Sequence, residues 1–335
     1  MLTVWSTMLR LVGLGVLLGL MSAQATGQTK VVIGTAKDPN LGSQIIVARD
    51  KGFFREQGLD AEIKFFPTGG DLMSAFVGGS VQMGTAGLTP VTLLRGRPYP
   101  VKVVAQVADI SGAQQLIVKQ NVTQLSDLYG KKVGLLRGTS PEALWNAIVR
   151  THKDFDASKV QIVNMGATEM LEGFTLGVVD AVVLWEPHST RARKSGKGKI
   201  LVSGTHSYLG NKVESQRIFG DHALLFASES FVRDNAATVR AVVAALAKAN
   251  DFMESNKTEA VALLAKEFDF EPGEMTTVLG ANRYTLRLDD QLAGDMDALG
   301  EFMYGLKRLP QAPKARDWID PTALRGVRPA LVDLK

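Results

Sequence analysis

The chain has no cysteine among its 335 residues. That excludes disulfides, thiolate catalysis, cysteine-ligated metal and lipid anchoring through an N-terminal cysteine. Histidine is scarce too: His152, His188, His206 and His222 are all there are, and none are paired at a metal-binding spacing. There is no H-E-x-x-H and no G-x-S-x-G, and the glycine turns lack the G-x-G-x-x-G or P-loop spacing that cradles a nucleotide. No metal, no cofactor and no enzymatic activity are therefore expected. Charge of one sign is also lacking. The 38 Lys and Arg against 34 Asp and Glu give a net charge of +4, too small and too evenly spread for a nucleic-acid surface. Such a balance is compatible with a small anionic ligand without demanding one.

Long apolar runs are missing except at the start. Leu11 to Leu20 follows the basic Arg10 and precedes Ala23-Gln24-Ala25, which places small residues where a signal peptidase reads them. The run is too short to span a bilayer. Residues 1–25 are thus expected to be a secretory signal, and the mature chain, from near Thr26, a soluble exported protein. Its roughly 310 residues fit two domains.

What is present is alternation. Val31 to Thr35, Ala61 to Phe66, Val81 to Ala86 and Val101 to Val107 read as strands. Between them Leu41 to Gln57 and Asp71 to Gly79 read as helices, which predicts a mostly parallel sheet. A second set starts near Val122. Its strands are Lys132 to Leu136, Val160 to Met165, Ala181 to Trp185 and Lys199 to Ser203, and Ser140 to His152 is a helix with Pro141 in its first turn. The sets align at one offset: Phe76 with Phe174, Gly79 with Gly177, Val81 with Val179. This predicts a duplicated α/β lobe. After Leu224 the chain reads as helices without a sheet of their own: Glu229 to Glu254, Glu259 to Phe268, Pro272 to Asn282 and Gln291 to Leu306. They are expected to dock on the first lobe. Residues 26–115 with 224–335 would then form lobe 1 and residues 116–223 lobe 2. Two crossovers, near Gln115 and Ala223, would make a hinge above a cleft.

In open parallel sheets ligands bind beyond the carboxyl ends of the strands. The turns expected there carry Asn40, Ser43 and Gln44; Gly69, Gly70 and Asp71; Thr85, Gly87 and Thr89; Arg137, Thr139 and Ser140; and Trp185 with Glu186. Several open a helix, where free N–H groups and hydroxyls either cap the helix or bind an anion. Arg137 suits a sulfonate, carboxylate or phosphate by bidentate hydrogen bonding, or is a solvated loop arginine. Trp185 walls a pocket or fills the core, and Glu186 takes an amine or starts a helix. His222, at the second crossover, is structural or a ligand contact. The basic run from Arg191 to Lys199 is a solvated helix end or a contact surface for an anionic partner.

The stretches Ala48-Arg49-Asp50-Lys51-Gly52-Phe53-Phe54, Gly78-Gly79-Ser80-Val81-Gln82-Met83-Gly84, Leu128-Tyr129-Gly130-Lys131-Lys132-Val133-Gly134, Gly177-Val178-Val179-Asp180-Ala181 and Trp185-Glu186-Pro187 carry a resemblance. In order and spacing the chain resembles the periplasmic substrate-binding proteins of nitrate/sulfonate/taurine-type ABC importers and the related thiamine-pyrimidine-precursor binders. The resemblance implies a type II periplasmic-binding-protein fold of two Rossmann-like lobes. It implies a ligand in the cleft, contacted by the turns named above, and delivery to an inner-membrane permease with its ATPase. A monomer is expected. The ligand expected is a small organic anion or zwitterion, with a pyrimidine-like molecule as the alternative. An exported sensor and, more remotely, an α/β enzyme remain open. The enzymatic branch that makes a thiamine pyrimidine relies on a cysteine-rich motif, which this chain lacks.

Overall fold

A computed structural model describes residues 27–97 and 99–335; the expected export signal lies outside them. Among the described residues no helix is long and apolar enough to cross a membrane.

Two seven-stranded sheets organise the chain. The first begins with β1 (Thr29–Ala36), β2 (Leu59–Phe66), β3 (Met83–Gly87) and β4 (Val101–Asp109). Helices α1 (Pro39–Asp50), α2 (Phe53–Glu56), α3 (Gly69–Val77) and α4 (Leu88–Arg95) connect them. The chain then crosses at 110–113 into the second sheet. There it forms β5 (Gln114–Lys119), β6 (Lys132–Leu135), β7 (Gln161–Asn164), β8 (Ala181–Trp185), β9 (Gly198–Ser203), β10 (His206–Ser207) and β11 (Glu214–Ser215), with α5 (Ser140–Thr151), α6 (Ala167–Leu176) and α7 (His188–Ser195) between them. It returns at 216–221 through β12 (His222–Ser228). The rest of lobe 1 is α8 (Glu229–Asp234), α9 (Ala236–Ser255), α10 (Lys257–Phe268), α11 (Pro272–Gly280), β13 (Arg283–Asp289), α12 (Asp290–Gly305), α13 (Thr322–Val327) and β14 (Val332–Asp333).

The lobes repeat one plan. The first sheet runs β2-β1-β3-β12-β4 before β13 and β14, and the second runs β7-β6-β8-β5-β9 before β10 and β11. In each, the fourth strand is antiparallel to both neighbours, and it is the strand laid down just after the chain crosses. The aligned residues do equivalent work. Phe76 and Phe174 are buried. Gly79 and Gly177 end their helices at φ 76°, a left-handed conformation that glycine adopts without Cβ strain. Val81 and Val179 then enter the core. Where β1 and β3 run side by side, Gly34 faces Gly84. A Cβ on Gly84 would sit 2.9 Å from the Gly34 carbonyl oxygen and 2.9 Å from Phe226, so only glycine allows that spacing.

Four expectations need correcting. The sheets are mixed rather than mostly parallel, with seven antiparallel strand pairs against five parallel ones among the described residues, because the strands added after each crossing run against their neighbours. The helix read over Leu41 to Gln57 breaks at Gly52, whose φ is 76°, giving α1 and α2. The long helix from Glu229 is interrupted at Asn235, separating α8 from α9. The C-terminal region does contribute to a sheet: Arg283–Asp289 is β13, antiparallel to β4. Its alternation of Tyr284, Leu286 and Leu288 with Arg283, Thr285 and Arg287 is the period-two pattern of a strand with one face toward the core. The docking expectation holds, since α9 packs on α1 and α2 and α13 packs on α9.

Candidate functional site

The carboxyl ends of both sheets face one another, and the junction is held by polar contacts. Asp38 is the N-cap of α1, accepting from the Asn40 amide at 2.8 Å, with Pro39 in the first turn as helix starts favour. The same carboxylate accepts the indole N–H of Trp185 from the other lobe at 3.1 Å. Desolvation pushes the Asp38 carboxyl up to about 6, against the hydrogen bonds from Asn40 and Trp185 that favour its charged form. Asn40 donates through Nδ2 to the Glu186 carbonyl at 2.7 Å, and its Oδ1 accepts from Asn282 at 2.7 Å. Tyr284 donates to the Pro39 carbonyl at 3.0 Å, and burial raises its pKa. Asn282 and Tyr284 also line a cavity of about 600 Å³ among α9, α10, α11 and β13.

Two ion pairs flank this contact. Arg308, beyond α12, meets Glu142 of α5 in a bidentate pair at 2.6 and 2.9 Å. Arg191 of α7 pairs with Glu274 of α11 at 3.1 Å and lies over the Phe270 ring. The α4 and α5 starts also meet across the lobes: a Cβ on Gly87 would lie 4.0 Å from Ser140 Oγ.

The residues singled out from sequence divide into those at this junction and those turned elsewhere. Asn40, Gly87, Ser140 and Trp185 meet across the lobes. Thr89, in the first turn of α4, is fully buried, and its hydroxyl has no partner. Thr85 donates to the Leu41 carbonyl at 2.8 Å, Ser43 to the Pro39 carbonyl at 2.6 Å and Gln44 to the Val107 carbonyl; these tie α1 to the sheet. Thr139 donates to the Leu136 carbonyl at 2.6 Å. Arg137 is exposed, and its backbone amide donates to Asn164. Gly69 packs on Pro90, Gly70 is exposed, and Asp71 accepts from the Thr68 hydroxyl at 2.7 Å in the cap of α3. The Glu186 carboxylate turns into its own lobe, accepting from Thr190, Gln115 and Arg193. His222 is buried with Nε2 2.8 Å from Asp295. Arg191 and Arg193 are engaged in ion pairs, while Lys194 and Lys197 of the same basic run are exposed.

Sequence reasoning passed over Asp38, Glu142, Asp221, Asn282 and Arg308. Only Asp38 carried a local signal, an N-cap residue directly before a proline. Asp221, immediately before β12, is fully buried, and desolvation pushes it up to about 6.

The family model described as "NMT1/THI5 like" matches residues 42–260. The taurine-binding periplasmic protein of Escherichia coli is 26% identical over 52% of this chain and 53% of its own length. A 4-amino-5-hydroxymethyl-2-methylpyrimidine phosphate synthase of Saccharomyces cerevisiae is 25% identical over 68% of this chain and 67% of its own. Among solved structures, the periplasmic aliphatic sulphonate binding protein SsuA of Escherichia coli superposes with a TM-score of 0.75 at 20% identity, over 87% of this chain and 92% of that one. The fold is that of type II periplasmic binding proteins.

Proposed function

We propose, from the premise that the chain belongs to the NMT1/THI5-like family, that it is the extracytoplasmic solute-binding protein of an ABC importer. It captures a small organic zwitterion or anion, of the sulfonate or carboxylate kind, between its lobes. It then hands that solute to an inner-membrane permease driven by an ATPase. The segments 110–113 and 216–221 are the hinge, and residues 1–25 direct export to the periplasm. The protein turns over no substrate.

The observation that carries this reading is the junction itself. Hydrogen bonds from Trp185 to Asp38 and from Asn40 to the Glu186 carbonyl close the lobes at the carboxyl ends of their strands, where open α/β sheets bind ligands. A solute that touches both lobes only when they are closed shifts the equilibrium by its differential affinity. Arg137, exposed at the start of α5, is the proposed partner of an acidic group. A thermal-shift screen of sulfonates, carboxylates, nitrate, bicarbonate and pyrimidines tests the reading, because a bound solute raises Tm by mass action. No shift with any class refutes it. Arg137→Ala should weaken an acidic solute by about 1.5–3 kcal/mol, the range for a hydrogen bond to a charged group.

A second reading, a pyrimidine-like solute, is favoured by the buried Asp221 carboxyl, whose Oδ2 is without a well-formed hydrogen bond and suits a ring or amino N–H group. The pyrimidine members of the same screen distinguish it.

A further inference from the structure

The cavity of about 600 Å³ that adjoins the junction is built wholly from lobe 1, between the end of α9, the start of α10, the end of α11 and β13. That volume is in the range of small-molecule sites. Met253, Val261 and Leu279 give it an apolar wall. Its charge is uneven: Lys257, Arg283 and Arg287 line it against one carboxylate, Glu254. Arg287 pairs with Asp289, Arg283 comes only within 3.9 Å of Asp109, and Lys257 has no ion pair among the described residues. Arg217 already holds the Asp109 carboxylate at 3.2 Å. Two carboxamide oxygens belong to the same lining. Oδ1 of Asn250 and Oδ1 of Asn282 are buried and have no donor, while Nδ2 of Asn282 is engaged with Asn40 and Tyr284.

A buried acceptor without a donor is costly, and two of them on one cavity call for an occupant that brings N–H groups. The spare cations call for an acid, and the apolar wall for a hydrocarbon body. We infer that this cavity is a second small-molecule site, for an amino acid with an apolar side chain. Its ammonium donates to Asn250 and Asn282, its carboxylate meets Lys257 and Arg283, and its side chain packs on Met253, Val261 and Leu279. Glu254, four residues beyond Asn250 and on the same face of α9, adds negative charge on the ammonium side. The site shares Asn282 and Tyr284 with the junction but none of the turns proposed to hold the imported solute. It therefore stands or falls separately from the solute-binding reading.

The test is calorimetric titration of the full mature chain with three matched probes: leucine, 4-methylpentanoate, which lacks the amine, and 3-methylbutylamine, which lacks the carboxylate. Leucine should bind about tenfold or more tighter than each of the others, the loss expected for one charge-assisted hydrogen bond. Gly280 ends α11 on the cavity, and a Cβ there meets nothing within 4 Å. Gly280→Phe thus fills the space without a backbone clash and should abolish leucine binding. It should change the affinity of a solute found in the thermal-shift screen by no more than about twofold. The double variant Lys257→Gln, Arg283→Gln should bring leucine down to the level of 3-methylbutylamine, and serves if the Gly280 variant fails to fold. Absence of leucine binding, failure of leucine to exceed both partners, or leucine binding that survives in both variants overturns this site while leaving the interlobe function standing.

Discussion

Replacing Trp185 by Phe removes one interlobe hydrogen bond and exchanges the indole for a smaller phenyl ring. An aromatic edge toward His188, whose centroid lies 5.1 Å from that of Trp185, is kept in kind. What is lost is the indole N–H that donates to Asp38 at 3.1 Å. The carboxylate keeps its two bonds from Asn40, both at Oδ1, while Oδ2 loses its indole partner. A hydrogen bond to a charged acceptor contributes about 1.5–3 kcal/mol, and at this length the lower end applies. About 1.5 kcal/mol corresponds to roughly a tenfold change in the closed-to-open ratio. If closure depends on this contact, the apparent affinity for solute falls toward the same factor as the closed fraction drops. Calorimetry with any solute found in the screen, together with small-angle scattering of the variant, reads both quantities. Asp38→Asn keeps an acceptor but removes its charge, and should give a smaller loss. A Trp185→Phe variant with wild-type affinity and an unchanged scattering profile would show that the contact contributes nothing to closure.

Arg308→Ala deprives Glu142 of its bidentate partner but leaves the Gly138 amide at 2.9 Å; closure should weaken by about 1–3 kcal/mol, visible in scattering as a shift toward the open form. Gly84→Ala forces a methyl against the Gly34 carbonyl and Phe226, and should lower stability by about 1–3 kcal/mol in urea unfolding. Asp221 has a carboxyl raised from 3.8 to about 6 by burial. Its contribution to stability is therefore greatest below about pH 4 and is lost as the pH rises through 6. Asp221→Asn should raise Tm relative to wild type at pH 7.5, by an amount corresponding to about 3 kcal/mol, and the advantage should vanish near pH 4; a constant difference across that range would contradict the assignment.

Much of the frame was legible because parallel strands buried on both faces read as apolar runs between helices. Ala181–Trp185 has the bounds expected of it, and the paired Gly79 and Gly177 mark equivalent helix ends. Two kinds of feature were not legible. β5 has only Leu116, Ile117 and Val118 as its apolar stretch, between two glutamines and a lysine, and β13 interleaves its apolar residues with Arg283, Thr285 and Arg287. Both were passed over because their strand character comes from the neighbours they add to, not from a strong local pattern. The junction was harder still. Asn282 and Arg308 reach residues 242 and 166 positions away, a proximity that no local spacing encodes. Glu186 shows the converse: its side chain has the chemistry to hold an amine, but its lone pairs are filled by Thr190, Gln115 and Arg193. Asp221 is a second buried carboxyl, held at the crossing between the lobes, and its sequence neighbours give no hint of that burial.

The central claim is that this chain binds a solute and leaves it unchanged. Calorimetric titration of the mature chain with the strongest solute from the thermal-shift screen, followed by chemical analysis of everything released on denaturation, tests it most directly. The account predicts saturable binding at one solute per chain and recovery of that solute intact. Conversion of the solute to another compound, or absence of saturable binding across every solute class, would contradict it.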